Sequence, residues 1–144
     1  MAMKSFMFKS KRRKIFFSPH ALERIEERLT ATEKDKGYFI IKVCFRMWKE
    51  LVKEDFRGFY IFYDGIKWIF EIQNQNIIIL VTVVRGQGKL QEKRFIAMPL
   101  KQNFLNFILR HNENNISPFS PPLVYVEVKN NSGGKNSVNK EINN

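Results

Sequence analysis

A histidine and two arginines recur at every fourth position within residues 17–29. On a helix, His20, Arg24 and Arg28 would form one column, because residues four apart are neighbours on the helix surface. Like charges at this spacing slightly destabilise an isolated helix, so the column favours a role other than helix stability. Histidine transfers protons near neutral pH, and the arginine fork binds two phosphate oxygens at once. The column therefore predicts a phosphate-handling surface.

The segment that carries this column has the signals of a helix start. Ser18 can accept a backbone N–H as the N-cap, and Pro19 suits the first helical position, where its missing N–H is not needed. An apolar stripe at helical spacing comprises Ala21, Leu22, Ile25 and Leu29. We therefore predict a helix over residues 19–29.

A second helix is predicted over residues 33–52. Thr32 and Asp35 resemble the capping box that opens many helices, with Asp in the place of Glu. Ile41, Cys44 and Trp48 keep helical spacing within it. We expect Cys44 to be an inert core residue, and Trp48 and Trp68 to lie in the core rather than to stack on bases.

After Gly58 the sequence pattern changes from helical to that of strands. Apolar, aromatic and β-branched residues fill 59–63, 66–73 and 77–84, and Asp64-Gly65 between the first two is a strong hairpin signal. Residues 95–98 are a candidate fourth strand, and 99–111 a candidate further helix. The predicted fold class is α+β: two N-terminal helices packed on a three- to four-stranded antiparallel sheet, with an extra C-terminal helix and a disordered tail.

These elements divide the chain into four regions. Residues 1–13 are predicted to be a basic arm and residues 14–111 an α+β domain. Residues 112–129 are a Pro-containing extended segment, in which 123–128 could be an edge strand or a docking segment for a partner. Residues 130–144 are rich in Asn, Ser, Lys and Gly, a composition typical of disorder.

The charge of the chain is concentrated at its N-terminus. The formal net charge is +11, and six of the cations fall within residues 1–14, which contain no acidic residue. This balance indicates a polyanionic partner such as RNA, DNA, an acidic protein or an anionic membrane. The alternative is a solvated arm that aids solubility.

Composition also excludes several classes of site. A single cysteine, Cys44, excludes an internal disulfide and a cysteine-built metal site, and it fits a reducing, cytoplasmic location. No apolar run reaches the ~18 residues of a membrane span, so no membrane partner is expected. No residue pattern indicates a metal or another cofactor, and we expect none.

Two motifs resemble a known group of proteins. Residues 17–28, F-S-P-H-A-L-E-R-I-E-E-R, resemble the opening of small bacterial and phage domains in which a strand leads into H-A-x-x-R-x-x-E-R, a second helix and three or four strands. Residues 79–85, I-L-V-T-V-V-R, resemble a strand near the end of those domains. Such domains are similar to RelE-like toxins and to metal-independent ribonucleases of the barnase/colicin/RelE fold. The chain departs from them at Leu29-Thr30, where Gly-Ile is common.

The resemblance implies a metal-independent ribonuclease of the toxin type, which cleaves RNA by attack of the ribose 2′-hydroxyl. It implies that His20 transfers a proton, that Arg24 and Arg85 contact the phosphate, and that Thr82 orients the substrate. Further nucleic-acid contacts are expected from Arg28, Lys89, Lys11, Arg12, Arg13 and Lys14. The expected partners are RNA, in a ribosome-associated setting or free, and an acidic antitoxin-like protein.

Two other functions fit the same residues. One is a non-catalytic module that binds nucleic acid, and the other is a protein-interaction module that retains the fold. His20 could simply occupy a helix start, Arg24 could pair with a neighbouring glutamate, and Thr82 could fill the sheet. The ribonuclease interpretation requires that the N-terminal end of the first helix faces Thr82 and Arg85.

Overall fold

The computed structural model describes residues 7–86, 95–98, 106, 110 and 122–129. Within these residues the chain forms a mixed sheet with helices between its second and third strands. The elements are β1 (Met7–Ser10), β2 (Arg13–Phe17), α1 (Pro19–Arg28), α2 (Ala31–Arg46), α3 (Trp48–Leu51), β3 (Phe56–Tyr63), β4 (Ile66–Asn74), β5 (Ile77–Arg85), β6 (Phe95–Met98) and β7 (Leu123–Val128).

Helix α1 begins as its local sequence predicts. The Ser18 side chain accepts a hydrogen bond from the Ala21 backbone N–H at 3.0 Å, and Pro19 occupies the first turn. The helix ends at Arg28, because Leu29 adopts extended backbone angles. Ala21, Leu22 and Ile25 are buried, so the apolar stripe faces the core.

Helix α2 begins earlier than predicted, and its capping box uses a different pair of residues. The Thr30 hydroxyl accepts from the Glu33 backbone N–H at 3.2 Å, and the Glu33 carboxylate accepts from the Thr30 backbone N–H at 2.9 Å. The predicted pair, Thr32 and Asp35, lies inside the helix. Glutamate at the third helical position reaches back to the cap, which is the usual arrangement of this motif.

The strands form one sheet in the order β1-β2-β5-β4-β3-β7-β6. Every neighbouring pair is antiparallel except β2 and β5, which run parallel with Ile15 opposite Ile78. The predicted hairpin between β3 and β4 is confirmed: Asp64 and Gly65 both have positive φ angles, 56° and 82°. Such angles at both central residues suit the twist of a tight hairpin.

The core lies between the helices and one face of the sheet. A Cβ added at Gly37 of α2 would lie 2.9 Å from the Trp68 ring of β4, so glycine permits this close approach. Trp48 and Trp68 are each 2% exposed, which confirms their predicted core position. Cys44 is buried as predicted, and burial raises the pKa of its thiol well above the ordinary value.

Strand alternation gives the sheet an inner face, towards the helices, and an outer face. Trp68 contacts α2 and therefore marks the inner face, which it shares with the buried residues Ile15 and Phe17 of β2. Phe16, between these two residues, lies on the outer face. Ile69 follows Trp68 in β4 and therefore lies on the outer face. Thr82 is the cross-strand partner of Ile69, so it lies on the outer face as well.

The predicted fold class is wrong in its sheet. A three- to four-stranded antiparallel sheet was expected, whereas the described residues form seven strands with one parallel pair. Residues 7–10, predicted to belong to a basic arm, form β1, and β7 lies between β3 and β6 rather than at an edge. β1 pairs with the adjacent β2, but β2 also pairs with β5, where Ile15 lies opposite Ile78, and no local pattern displays that distant pairing.

The remaining predictions for the C-terminal half fall mainly outside the described residues. They concern the helix over 99–111, where only Asn106 and Arg110 are described, both of them helical. The tail over 130–144 is also outside the described residues. Residues 123–128, for which an edge strand and a docking segment were both open, form a strand inside the sheet, between β3 and β6.

Candidate functional site

Helix α1 is attached to β5 at both of its ends. At the start, the Ser18 backbone N–H donates to the Leu80 carbonyl at 3.1 Å, and the Ser18 hydroxyl donates to the Val81 carbonyl at 3.2 Å. Val81 is the extra residue of a β-bulge, because Leu80 pairs with Phe70 while Thr82 pairs with Ile69. The bulge therefore lies directly beside the helix cap.

At the other end of α1, Arg85 is held by protein groups. Its guanidinium donates to both carboxylate oxygens of Glu33, at 2.7 and 2.8 Å, and also to the Arg28 carbonyl. The Arg85 hydrogen bond and the Thr30 backbone N–H lower the pKa of Glu33 to about 2. Glu33 in turn raises the pKa of Arg85. The phosphate-binding fork predicted at Arg85 is thus occupied by a carboxylate.

The two arginines of the column on α1 also have partners within the protein. Arg28 donates to the Val83 carbonyl at 2.7 Å, and Arg24 forms an ion pair with Glu27 at 2.7 Å. The Arg24 ion pair matches the alternative in which this arginine pairs with a neighbouring glutamate, whereas the bond from Arg28 to β5 was not predicted. We call α1 with Glu33 and residues 82–85 the helix–strand junction.

The structure brings Arg28, a predicted nucleic-acid contact, next to Arg85, but it separates Arg85 from two predicted catalytic residues, His20 and Thr82. His20 is exposed near the start of α1, about 12 Å along the helix axis from Arg28 at a rise of about 1.5 Å per residue. Thr82 lies on the outer face of the sheet, whereas the Arg85 guanidinium binds Glu33 on the helix side. Lys89 lies outside the described residues.

A second group of predicted residues lies together on β1, β2 and the turn between them, which we call the basic hairpin (residues 7–17). Its cations are Lys9, Lys11, Arg12, Arg13 and Lys14. Within the described part of the chain, none of these cations forms an ion pair with a carboxylate. Lys11 and Arg12 are exposed at the turn, where Lys11 has a φ of 60°.

The two faces of the basic hairpin differ in what they present. Arg13 points to the inner side, where its guanidinium lies 5.8 Å from the centre of the Trp48 ring. On the outer face, Lys9 is paired with Lys14, and Met7 is paired with Phe16. Met7 is 42% exposed and Phe16 is 36% exposed. Two cations and two accessible apolar side chains therefore share one small surface.

Phe16 is a candidate binding residue that the sequence reasoning missed. The signal was present in K-I-F-F, because alternation with the core residues Ile15 and Phe17 leaves Phe16 on the opposite face. Because all three residues of I-F-F are apolar, the sequence does not show which of them are buried, so the alternation is visible only in the structure.

One cleft of about 340 Å³ opens on the helix side, between α1, the start of α2 and the first two strands. Its lining combines aromatic residues with a charged rim: Phe8, Phe17, Tyr38 and Trp68 with Glu26, Lys34 and Asp35. Lys34 and Glu26 are paired with each other at 3.2 Å. The rim thus carries two carboxylates and one ammonium group, a balance that disfavours a polyanion.

The described residues contain no group of three or more His, Cys, Asp or Glu side chains that could hold a metal ion. Among the same residues, no helix has the length and apolar character needed to cross a membrane.

Comparisons with protein-family models, curated proteins and solved structures found no match to this chain. The RelE-like resemblance and the partners that it implies, RNA and an acidic protein, stay predictions.

Proposed function

We propose that this chain binds nucleic acid, with RNA as the expected ligand, through the basic hairpin. The observation that carries the proposal is a cluster of five cations without a carboxylate partner in the described part of the chain. Cations that lack a carboxylate partner are available to phosphates, and their binding releases the counterions condensed on the nucleic acid.

The hairpin is also suited to present these cations at fixed positions. β1 pairs with β2, β2 pairs with β5, and Ile15 of β2 is fully buried. A preorganised surface loses less conformational entropy on binding than a flexible arm does. This rigidity supports a specific surface rather than a solubilising tail.

The proposal is tested by removing charge from the hairpin in the full chain. The variant combines Lys11→Gln, Arg12→Gln and Lys14→Gln, and binding of a labelled single-stranded RNA is followed by fluorescence anisotropy between about 50 and 200 mM salt. We expect affinity to fall at least about ten-fold and the salt slope to flatten by about 2, since each lost contact on a single strand contributes about 0.7.

A matched control removes the same amount of charge elsewhere. Lys49→Gln, Lys53→Gln and Lys129→Gln neutralise three exposed cations outside the hairpin. We expect this variant to keep nearly the wild-type salt slope. Equal losses in the two triple variants would mean that net charge alone drives binding, and the absence of binding by wild-type protein would refute the proposal.

Ribonuclease activity is the second candidate function, favoured by the exposure of His20 at the start of α1, three residues after the end of the basic hairpin. In the reaction, the ribose 2′-oxygen attacks phosphorus, a base takes its proton, and the 5′-oxygen leaves with a proton to give a cyclic phosphate. Incubation of RNA with wild-type protein and with His20→Ala tests it on a gel. Cleavage that survives His20→Ala would exclude His20 as the proton-transfer group.

A further inference from the structure

We propose that the outer face of the basic hairpin selects single-stranded over double-stranded nucleic acid by stacking an unpaired base on Phe16. The inference rests on the proposed function and adds the class of nucleic acid. Its starting point is that Phe16 is an aromatic side chain left 36% exposed between two core residues. An accessible aromatic ring beside cations is the arrangement that binds single strands.

The position of Phe16 is fixed by its two neighbouring strands. Across the antiparallel pair it lies opposite Met7, and across the parallel pair it lies opposite Ile79 of β5. Met7 is 42% exposed and Ile79 is partly buried, so they border the Phe16 ring with apolar surface. The ring is therefore held at the surface by β-sheet pairing on both sides.

The cations that would hold the phosphates lie on the same face. Lys14 precedes Phe16 by two residues, which places their side chains on one face about 6.6 Å apart along the strand. Lys9 is the cross-strand partner of Lys14. The backbone of a single strand can follow Lys9 and Lys14 while a base reaches Phe16, since these groups lie next to one another.

Phe16 is better placed for this role than the other aromatic residues that the sequence offers. Trp48 and Trp68 are each 2% exposed and cannot meet a base. Tyr38 is 49% exposed, but it lines the cleft beside the carboxylates of Glu26 and Asp35, which repel phosphate. Among these candidates, Phe16 alone combines exposure with a surface of positive charge.

The geometry predicts discrimination because a duplex hides the faces of its bases in the helical stack. Lysines can bind the phosphates of either form, whereas stacking on Phe16 requires a base that is free on one face. Single strands therefore gain a contact that duplexes cannot make. The preference for single strands therefore comes from the Phe16 ring, whereas the cations provide most of the affinity for either form.

The test compares Phe16→Leu with Phe16→Trp in the full chain. Leucine keeps an apolar side chain but removes the π face, and tryptophan keeps a π face. The probes are a labelled single-stranded RNA and a duplex of the same sequence. We expect Phe16→Leu to lose about ten-fold in affinity for the single strand, with an unchanged salt slope and little change for the duplex.

Phe16→Trp should retain the single-strand preference, and the fluorescence of the new tryptophan should be quenched by the single strand. Unchanged single-strand affinity in Phe16→Leu, with the effect of the triple hairpin variant intact, would overturn the stacking proposal and leave the proposed function standing. Failure of wild-type protein to bind either probe would reject both. A dimer in sedimentation that dissociates in Phe16→Leu would assign the ring to contacts between copies of the chain, and this too would overturn the proposal.

Discussion

The basic hairpin and the helix–strand junction both concentrate cations, but they use them differently. In the junction, Arg24 pairs with Glu27, Arg28 with the Val83 carbonyl, and Arg85 with Glu33. In the hairpin, no carboxylate partner occurs in the described part of the chain. A count of positive residues therefore overstates the surface available to a polyanion, because only the second group is open to phosphate.

The cations of the junction have partners, whereas those of the hairpin have no carboxylate partner among the described residues, because the two regions have different backbone groups to stabilise. The junction contains helix ends and the last carbonyls of β5, which need hydrogen-bond donors, and arginine supplies several donors from one side chain. A phosphate at Arg85 would have to displace Glu33, whose two oxygens already match the guanidinium fork. The hairpin is held by the pairing of β1 with β2 and of β2 with β5, and within residues 7–17 it contains no helix end that needs arginine donors.

Acid should weaken the junction most strongly, because protonation of Glu33 removes the Arg85 ion pair and weakens the hydrogen bond that its carboxylate accepts from the Thr30 backbone N–H. The pKa of Glu33 is lowered from 4.5 to about 2, so its stabilising effect is complete above pH 4.5 and is lost as the pH falls towards 2. In chemical denaturation across this range, we expect Glu33→Gln to lose less stability with acid than wild type. Glu23→Gln, at an exposed position in α1, is the matched control and should retain the wild-type dependence.

Arg85→Gln separates the structural role of the junction from nucleic-acid binding. We expect the free energy of unfolding to fall modestly, because the half-exposed ion pair and the bond to the Arg28 carbonyl are both lost. Urea denaturation measures this loss. The affinity for single-stranded RNA, measured by anisotropy, should change less than about two-fold, because Arg85 is expected to make no direct phosphate contact. A large loss of affinity with unchanged stability would instead make Arg85 a ligand contact.

Arg24→Gln should have the smallest effect. Its ion pair with Glu27 lies on the surface, with the glutamate side chain 53% exposed, and such pairs contribute about 0.3 to 0.5 kcal/mol. Thermal unfolding at low and high salt measures it, with the difference from wild type vanishing at high salt. A ten-fold loss in RNA affinity or cleavage would contradict the structural assignment of Arg24.

Features that depend on neighbouring residues could be predicted from the sequence. Ser18 and Pro19 specify the start of α1, and Asp64-Gly65 specifies the turn between β3 and β4. In both cases the physical cause lies within a few residues, so the local pattern contains it. For residues 123–128 the sequence offered a strand only as one of two alternatives.

Features that depend on distant pairing could not be predicted. Nothing near Arg85 shows that its guanidinium meets Glu33, which is 52 residues away in the chain. The parallel pairing of β2 with β5, which makes the sheet mixed and places Phe16 at the surface, is equally non-local. The sequence identified the cations of the candidate site but could not tell which of them the fold would neutralise.

The parallel pairing of β2 with β5 has a consequence for the order in which the binding surface forms. Ser18, which closes β2, bonds to Val81, 63 residues further along the chain. At about 5 to 20 residues per second, a ribosome needs about 3 to 13 s to add that much chain. The basic hairpin is therefore synthesised first but reaches its final support only after β5 emerges. A nascent chain that stops short of β5 carries every cation of the hairpin without the sheet that fixes their spacing.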